Sequence, residues 1–260
     1  MPIPHIKWYK ELDSTNSRLA LERESAQDGE VYAAFFQTAG RGQRGNLWES
    51  RAGENLTFSL LLKPLTIPIR EQFCISQIAA LGVVDYLETK GVGALIKWPN
   101  DIYVGDSKIC GILIENFARG ADVAQSIVGI GLNLNQKSFA REITNATSLS
   151  LLTGRDYNPE DELPQLLECI LHEYTLIAEG EEYRYKRTSA DGRYLSLLYR
   201  RGEWHDFEEM PPSDVPTEKR SGQRLRARIL GIDNSARLML ETEEGTIKYY
   251  WFKEIKYIID

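Results

Sequence analysis

Apolar positions recur along the chain with two periods. Residues 71–90 carry Phe73, Ile75, Ile78, Leu81, Val84 and Leu87 at helical spacing and then meet Gly91 and Gly93, which predicts a long core helix. Residues 159–178 repeat the pattern through Leu163, Leu167, Ile170, Tyr174 and Ile177, and a further helix is expected from 181 to about 201 with an interruption near Asp191-Gly192. Runs of strand length occupy 31–37, 55–63, 94–98, 101–104, 108–116 and 125–133, with turn signals at Gly105-Asp106 and Gly120-Ala121. A strand-like stretch over 3–12 leads into Asp13-Ser14-Thr15-Asn16, any of which can cap a helix over 18–26 that ends at a turn, Asp28-Gly29. This order predicts an α+β fold with a mixed β-sheet and helices. After a proline-rich segment at 210–216, short runs at 224–232, 237–242, 246–252 and 255–259, with turns at Asp233-Asn234 and Glu244-Gly245, predict a small β-barrel or sandwich. The expected domains are therefore 1–209 and 210–260.

Composition narrows the class of function. Of 260 residues, 42% are hydrophobic and 27% charged, the balance of an ordinary globular chain, and 31 Lys plus Arg against 38 Asp plus Glu give a net charge of −7. A broad nucleic-acid or anionic-membrane surface does not follow from that charge, so an anionic ligand must be met by a local cluster of cations. The start of the chain reaches Lys7, Lys10 and Glu11 before any signal-length apolar block develops, and no apolar run approaches the ~18 residues of a membrane span; a cytoplasmic protein is expected. Cys74, Cys110 and Cys169 are odd in number and far apart, which reads as reduced core thiols, and His5, His172 and His205 share no metal-type spacing.

Residues 40–45, GRGQRG, match G-x-G-x-x-G in form, but no helix follows and no acidic residue stands about twenty positions on, so a dinucleotide fold is not the reading. The physical content is an anion cradle: glycines admit a close ligand, and Arg41 and Arg44 supply permanent cations. The bland counterpart is a surface loop with two solvated arginines; Trp48, costly to expose, favours an ordered loop. Lys97-Trp98-Pro99-Asn100-Asp101 stands seven residues before Lys108, so a hairpin would bring Asp101 to Lys108. Lys108 is then either a solvated strand end or a charge aimed where phosphate charge develops. Asn133, closing the strand GIGLNLN, suits either a base contact or a turn.

Four segments in this order and spacing resemble the biotin protein ligase family: DSTNSRL at 13–19, QTAGRGQRGNLW at 37–48, IKWPNDIYVGDSKICGILIE at 96–115 and GIGLNLN at 129–135. The resemblance implies a class II aminoacyl-tRNA synthetase/biotin ligase-like sheet followed by a small SH3-like β-barrel. It implies an ATP-dependent ligase that converts biotin to biotinyl-5′-AMP and passes the biotinyl group to a lysine of a biotin carboxyl carrier protein, with Mg²⁺ riding on ATP. By matching motif positions, Ser14, Thr15, Asn16 and Gln37 would contact biotin, with Thr15 and Gln37 reaching its ureido ring, and Gly42, Gln43 and Gly111 would line the same pocket. Arg41 would bind the carboxylate and the phosphate that joins it, Arg44 the ATP phosphates, and Lys108 the bridging phosphate. Asp101 would orient and deprotonate the acceptor lysine, and Trp48 and Asn133 would contact adenine.

Relatives commonly carry arginine where this chain has Gln43, and losing that cation is expected to weaken retention of the adenylate. Many also carry an N-terminal DNA-binding domain; with about a dozen residues ahead of the first block, no DNA contact is expected here. The basic cluster Lys219, Arg220, Arg224, Arg226 and Arg228 reads as a solvated strand face, with a surface that helps receive an acidic carrier domain as the alternative. An open sheet edge would suit a homodimer. The competing readings are a lipoate ligase or octanoyl transferase of the same fold, and a non-catalytic biotin- or nucleotide-binding regulator.

Overall fold

The computed structural model of the chain describes residues 4–43, 46–64, 67–141, 143–178, 183–210 and 222–259. They form two compact units, Met1–Asp191 and Gly192–Asp260. The first unit contains β1 (His5–Tyr9), α1 (Thr15–Glu22), β2 (Glu30–Ala34), β3 (Leu56–Leu62), α2 (Phe73–Thr89), β4 (Leu95–Lys97), β5 (Asp101–Val104), β6 (Ser107–Arg119), β7 (Asp122–Leu132), α3 (Leu149–Thr153) and α4 (Pro159–Ala178). Its seven strands run in the order β1-β2-β3-β7-β6-β5-β4. The β1–β2 pair is parallel and the others are antiparallel, the mixed sheet that the strand order implied.

β3 is buried at all seven positions because both faces of the central sheet are covered. Neighbouring residues of β6 show which elements lie on which side. Glu115 accepts a bond from Asn16 of α1, whereas Asn116 donates to Gln72 at the start of α2, and successive strand residues point to opposite faces. α2 packs on α4, and Gly82 lies so close to Ile170 that a Cβ there would stand 2.6 Å from its Cα.

Local chemistry moves several expected boundaries. The helix predicted over 18–26 is α1, which starts at Thr15 because Ser14 is extended and its Oγ accepts the Ser17 amide at 3.4 Å. α5 (Tyr183–Ser196) runs without a break through Asp191-Gly192, contrary to the expected interruption, and Asp191 Oδ1 accepts a bond from buried Gln77 at 2.8 Å. The short helix α3 carried no periodic signal.

The second unit holds β8 (Trp204–Glu209), β9 (Gln223–Ile232), β10 (Leu238–Thr242), β11 (Ile247–Tyr250) and β12 (Ile255–Tyr257) in one antiparallel sheet, ordered β11-β10-β9-β8-β12. β8, unrecognised in the sequence, pairs with β9 and β12, so the unit boundary lies earlier than the expected one near Met210. The expected barrel is an open five-stranded order among the described residues, with β11 and β12 at its two ends.

At the outer edge of the large sheet, Glu30 is 5% exposed and holds Lys7 at 2.6 Å and His5 at 3.3 Å. Burial pushes the Glu30 carboxyl up, but the bonds from Lys7 and His5 outweigh it and leave the pKa below the ordinary carboxylate value. A depressed carboxyl contributes stability that is present above its unfolded pKa and is lost as pH falls through the folded one. Lys7→Met removes the main partner, so its Tm deficit relative to wild type is expected to be largest near neutral pH and to shrink below about pH 4. A deficit that stays constant across an acid series of thermal melts would contradict this account.

Candidate active site

The floor of the site is a patch of small residues in three adjacent strands. In sheet register Thr57 opposes Gly131, which opposes Gly111, and in the next row Ser59 opposes Gly129, which opposes Leu113. A Cβ at Gly131 would collide with the indole of Trp48, and one at Gly129 would collide with the side-chain amide of Asn16. Glycine is therefore required at both positions for another segment to lie directly on the sheet. Gly111 supports the same arrangement, since a Cβ there would stand 3.1 Å from both Trp48 and Lys108 Nζ. Gly131→Ala is expected to lift the half-buried Trp48 ring into solvent and red-shift its emission, a change absent in Trp48→Phe. Unchanged emission would mean that the ring does not rest on the glycine.

At one end of this floor the start of α1 meets the segment after β2. Leu12 bridges to Gln37, and Thr38 and Ala39 donate to the carbonyls of Leu12 and Asp13 at 2.9 Å each. That pairing brings Gln37 Oε1 to the Thr15 amide at 2.7 Å and to Thr15 Oγ1 at 3.1 Å. Ser14, Thr15 and Asn16 are each 3% exposed, so these three residues form an interior wall while Ser14 also caps α1. Ser59 Oγ lies 2.8 Å from Thr15 Oγ1 and 2.5 Å from Asn16 Oδ1, and Asn16 Nδ2 donates to Glu115 Oε2 at 2.8 Å.

The glycine-rich loop folds back on itself. Gly42 donates to Asn46 O at 2.7 Å, Trp48 donates to Gly40 O at 2.9 Å, and Arg41 bridges to Leu47. Arg41 reaches over the floor and pairs with Glu115 Oε2 at 2.7 Å. Gln43 lies in the same turn, its carbonyl accepting the Asn46 amide at 3.2 Å. Arg44 lies outside the described residues, as do Lys219 and Arg220.

The expected contact between Asp101 and Lys108 is present, with Lys108 Nζ 2.7 Å from Asp101 Oδ1. Register passes from Ile102 opposite Cys110 to Tyr103 opposite Lys108, so Ile109 is an extra residue, and this bulge re-aims Lys108. Its ammonium lies 5.8 Å from the centre of the Trp48 ring, above the glycine floor. Cys110 beside it is fully buried, and burial pushes its thiol far above the ordinary value, consistent with an inert core residue. Asn133 donates to Thr147 O at 2.9 Å, so its amide nitrogen is engaged in holding the segment after β7 against the strand. The same segment pairs with Lys108, whose amide donates to Asn145 O at 2.7 Å and whose carbonyl accepts the Thr147 amide at 3.0 Å.

The site thus combines the polar side chains of Thr15, Asn16 and Gln37, a flat surface of glycine and Trp48, and two cations, Arg41 paired with Glu115 beside Asn16 and Lys108 paired with Asp101 above the glycines. Beyond β7 an open cleft of about 440 Å³ is lined by Arg51, Glu54, Asn135, Lys137 and Asp156. Two residues of this arrangement carried no sequence signal as site residues, Ser59 and Glu115. A serine inside the fully buried strand LTFSLLL was the available hint, since a buried hydroxyl requires a partner.

The biotin/lipoate A/B protein ligase family model matches residues 8–133. The bifunctional ligase/repressor BirA of Bacillus spizizenii is 32% identical over 249 residues, covering 93% of this chain and 71% of that protein. The biotin--[acetyl-CoA-carboxylase] ligase of Paracoccus denitrificans is 36% identical over 162 residues, 59% of this chain and 66% of that one. The solved biotin protein ligase from Aquifex aeolicus in complex with biotin and ATP superposes with a TM-score of 0.76 at 26% identity, over 98% of this chain and 100% of that chain. The matched family segment contains α1, the glycine-rich loop, the Asp101–Lys108 hairpin and the glycine floor; the chain belongs to the biotin/lipoate A/B protein ligase family.

Proposed function

We infer that this chain is an ATP-dependent biotin ligase, which forms biotinyl-5′-AMP and transfers the biotinyl group to a lysine of a biotin carboxyl carrier protein. The observation that carries the reading is the glycine floor with Lys108 and Trp48 over it, beside linked polar side chains that run from Gln37 through Thr15, Ser59, Asn16 and Glu115 to Arg41. Biotin has a polar ureido ring and a carboxylate, and the site offers polar side chains that suit the first and cations that suit the second.

In the first step a biotin carboxylate oxygen bonds to the α-phosphorus of ATP and pyrophosphate leaves. Such a transfer depends on positioning and on charge stabilisation more than on a covalent nucleophile. Ser14, Thr15, Asn16 and Gln37 are proposed to hold the biotin ring, with Gly42, Gln43 and Gly111 along its chain. Arg41 is proposed to bind the carboxylate and then the phosphate, Arg44 the triphosphate, and Lys108 the oxygen that comes to bridge carboxyl and phosphorus. Trp48 and Asn133 are proposed to face adenine. Asp101 and Glu115 are each already engaged by a cation, Lys108 and Arg41 respectively, which fits a Mg²⁺ carried by the phosphate oxygens of ATP rather than by a protein cage. When bound, Mg²⁺ would neutralise charge on the departing pyrophosphate.

In the second step the carrier lysine attacks the biotinyl carbonyl and AMP leaves. As Lys108 turns to the phosphate, the Asp101 carboxylate is released to take a proton from the incoming ammonium. Pairing within the small sheet supports reading its basic strand as a solvated face: Arg224 holds Asp206 and Arg228 holds Glu241, both at 2.6 Å. A homodimer is part of the proposal, supported by β1 and β4, which each have one neighbour in the large sheet. No helix among the described residues is long and apolar enough to cross a membrane, and a cytoplasmic location is part of the proposal.

Purified protein incubated with ATP, Mg²⁺ and biotin should release pyrophosphate and accumulate a biotinyl-adenylate detectable by mass. Release with lipoate or octanoate and none with biotin would overturn the biotin assignment, and no release with any acid would favour a binding protein.

A further inference from the structure

We propose that Glu115 is a positioning residue for adenylation, acting through Arg41 and Asn16; the proposal rests on the ligase reading above. One carboxylate oxygen, Glu115 Oε2, takes the Arg41 guanidinium at 2.7 Å and the Asn16 amide at 2.8 Å. Asn16 continues through its own oxygen to Ser59 Oγ at 2.5 Å, Ser59 lies 2.8 Å from Thr15 Oγ1, and Thr15 bonds Gln37 Oε1. A continuous path of side chains therefore joins the end of the site assigned to the ureido ring to the arginine assigned to the carboxylate.

The two sides of Glu115 differ in character. Asn16 and Ser59 are 3% and 0% exposed, so the inner half of the path is fixed by packing. Arg41 projects from a loop with a side chain 42% exposed, and a long side chain so placed would otherwise populate many rotamers. The guanidinium carries five donors in a rigid fork, and Glu115 engages one nitrogen, leaving the rest of the fork to grip an anion. Glu115 thereby aims Arg41 before the ligand arrives. The opposing effect is electrostatic: a carboxylate beside Arg41 also weakens its pull on an incoming anion, so a residue that merely competed for Arg41 would change biotin affinity in the opposite direction.

Steady-state pyrophosphate release decides between them, measured for wild type, Glu115→Ala, Glu115→Gln, Arg41→Ala and the Glu115→Ala/Arg41→Ala pair. Glu115→Ala is expected to raise KM for biotin about tenfold and to lower kcat, with KM for ATP held within about twofold. Glu115→Gln should recover most of the loss, because its amide oxygen still accepts both bonds. In the Arg41→Ala background, removal of Glu115 should cost less than about twofold further, the non-additivity expected of residues that act as one. A KM for biotin that is unchanged or lowered, additive losses in the double variant, or parallel rises in both KM values with a lower Tm would each overturn the role. Wild type that releases no pyrophosphate with biotin would overturn the ligase reading and this role together, whereas active wild type with an indistinguishable Glu115→Ala overturns the role alone.

Discussion

Lys108→Ala should slow pyrophosphate release from ATP and biotin by about 10²–10³-fold while leaving Tm within a few degrees of wild type. The large kinetic effect follows from what Lys108 is proposed to do. Charge builds on the bridging and leaving oxygens during phosphoryl transfer, and the Lys108 ammonium, once turned from Asp101 to the phosphate over the glycine and indole floor, offsets it. The small stability effect follows from where the lysine sits. Its partner Asp101 keeps 29% of its side chain exposed and can return to water, and pairs of that kind contribute only about 0–1 kcal/mol. Undiminished adenylate synthesis by the folded variant would remove Lys108 from the mechanism. A folded but inactive Lys108→Ala that still binds biotin in calorimetry would separate charge stabilisation from ligand binding.

Glu162→Ala should destabilise the first unit by about 3–5 kcal/mol, measured by urea unfolding. Glu162 lies on α4, is 8% exposed, accepts the Tyr86 hydroxyl of α2 at 2.6 Å and pairs with Lys90 at 2.5 Å. Lys90 is itself largely buried and stands 5.1 Å from the Tyr86 ring centre. Removing the carboxylate leaves the Tyr86 hydroxyl without this acceptor and the Lys90 ammonium without its counter-charge, held by the neutral Gln165 Oε1 at 2.9 Å, in the α2–α4 interface, which is why the expected loss exceeds that of a surface pair. Glu162→Gln should lose less, since the amide can still accept from Tyr86. A change under about 1 kcal/mol for the alanine variant would show that water reaches the pair and screens it.

Much of the site could be read before the fold was known, because its chemistry is written in short contiguous segments. The loop 40–48, the hairpin from Asp101 to Lys108 and the strand GIGLNLN each hold residues that local geometry brings together, and each lies on the same site. Lys108 marks the limit of that approach. A lysine at a strand start points to solvent or to a pocket with equal ease, and a bulge at Ile109 decides the matter by changing which residue opposes Tyr103. Asn133 shows the opposite case: its amide nitrogen is engaged by Thr147 O, so the bland structural role is present whatever the ligand adds. The start of the second unit was misplaced for a related reason, since β8 becomes legible only through its pairing with β9 and β12.

By itself the sequence determined the α+β class, the long helices, the hairpins and the cationic glycine-rich loop, because periodicity, turn residues and charge act over a few neighbouring positions. The tertiary structure alone decided that Gly129 and Gly131 form a floor for Asn16 and Trp48, and that Ser59 and Glu115 belong to the site. Asn16 and Arg41 meet at a glutamate 99 and 74 positions away along the chain, a contact that exists only after α1, β6 and the loop have been stacked on one sheet face. No local pattern encodes such a meeting, since the free energy that holds it comes from burying the elements that carry the residues and not from the residues themselves.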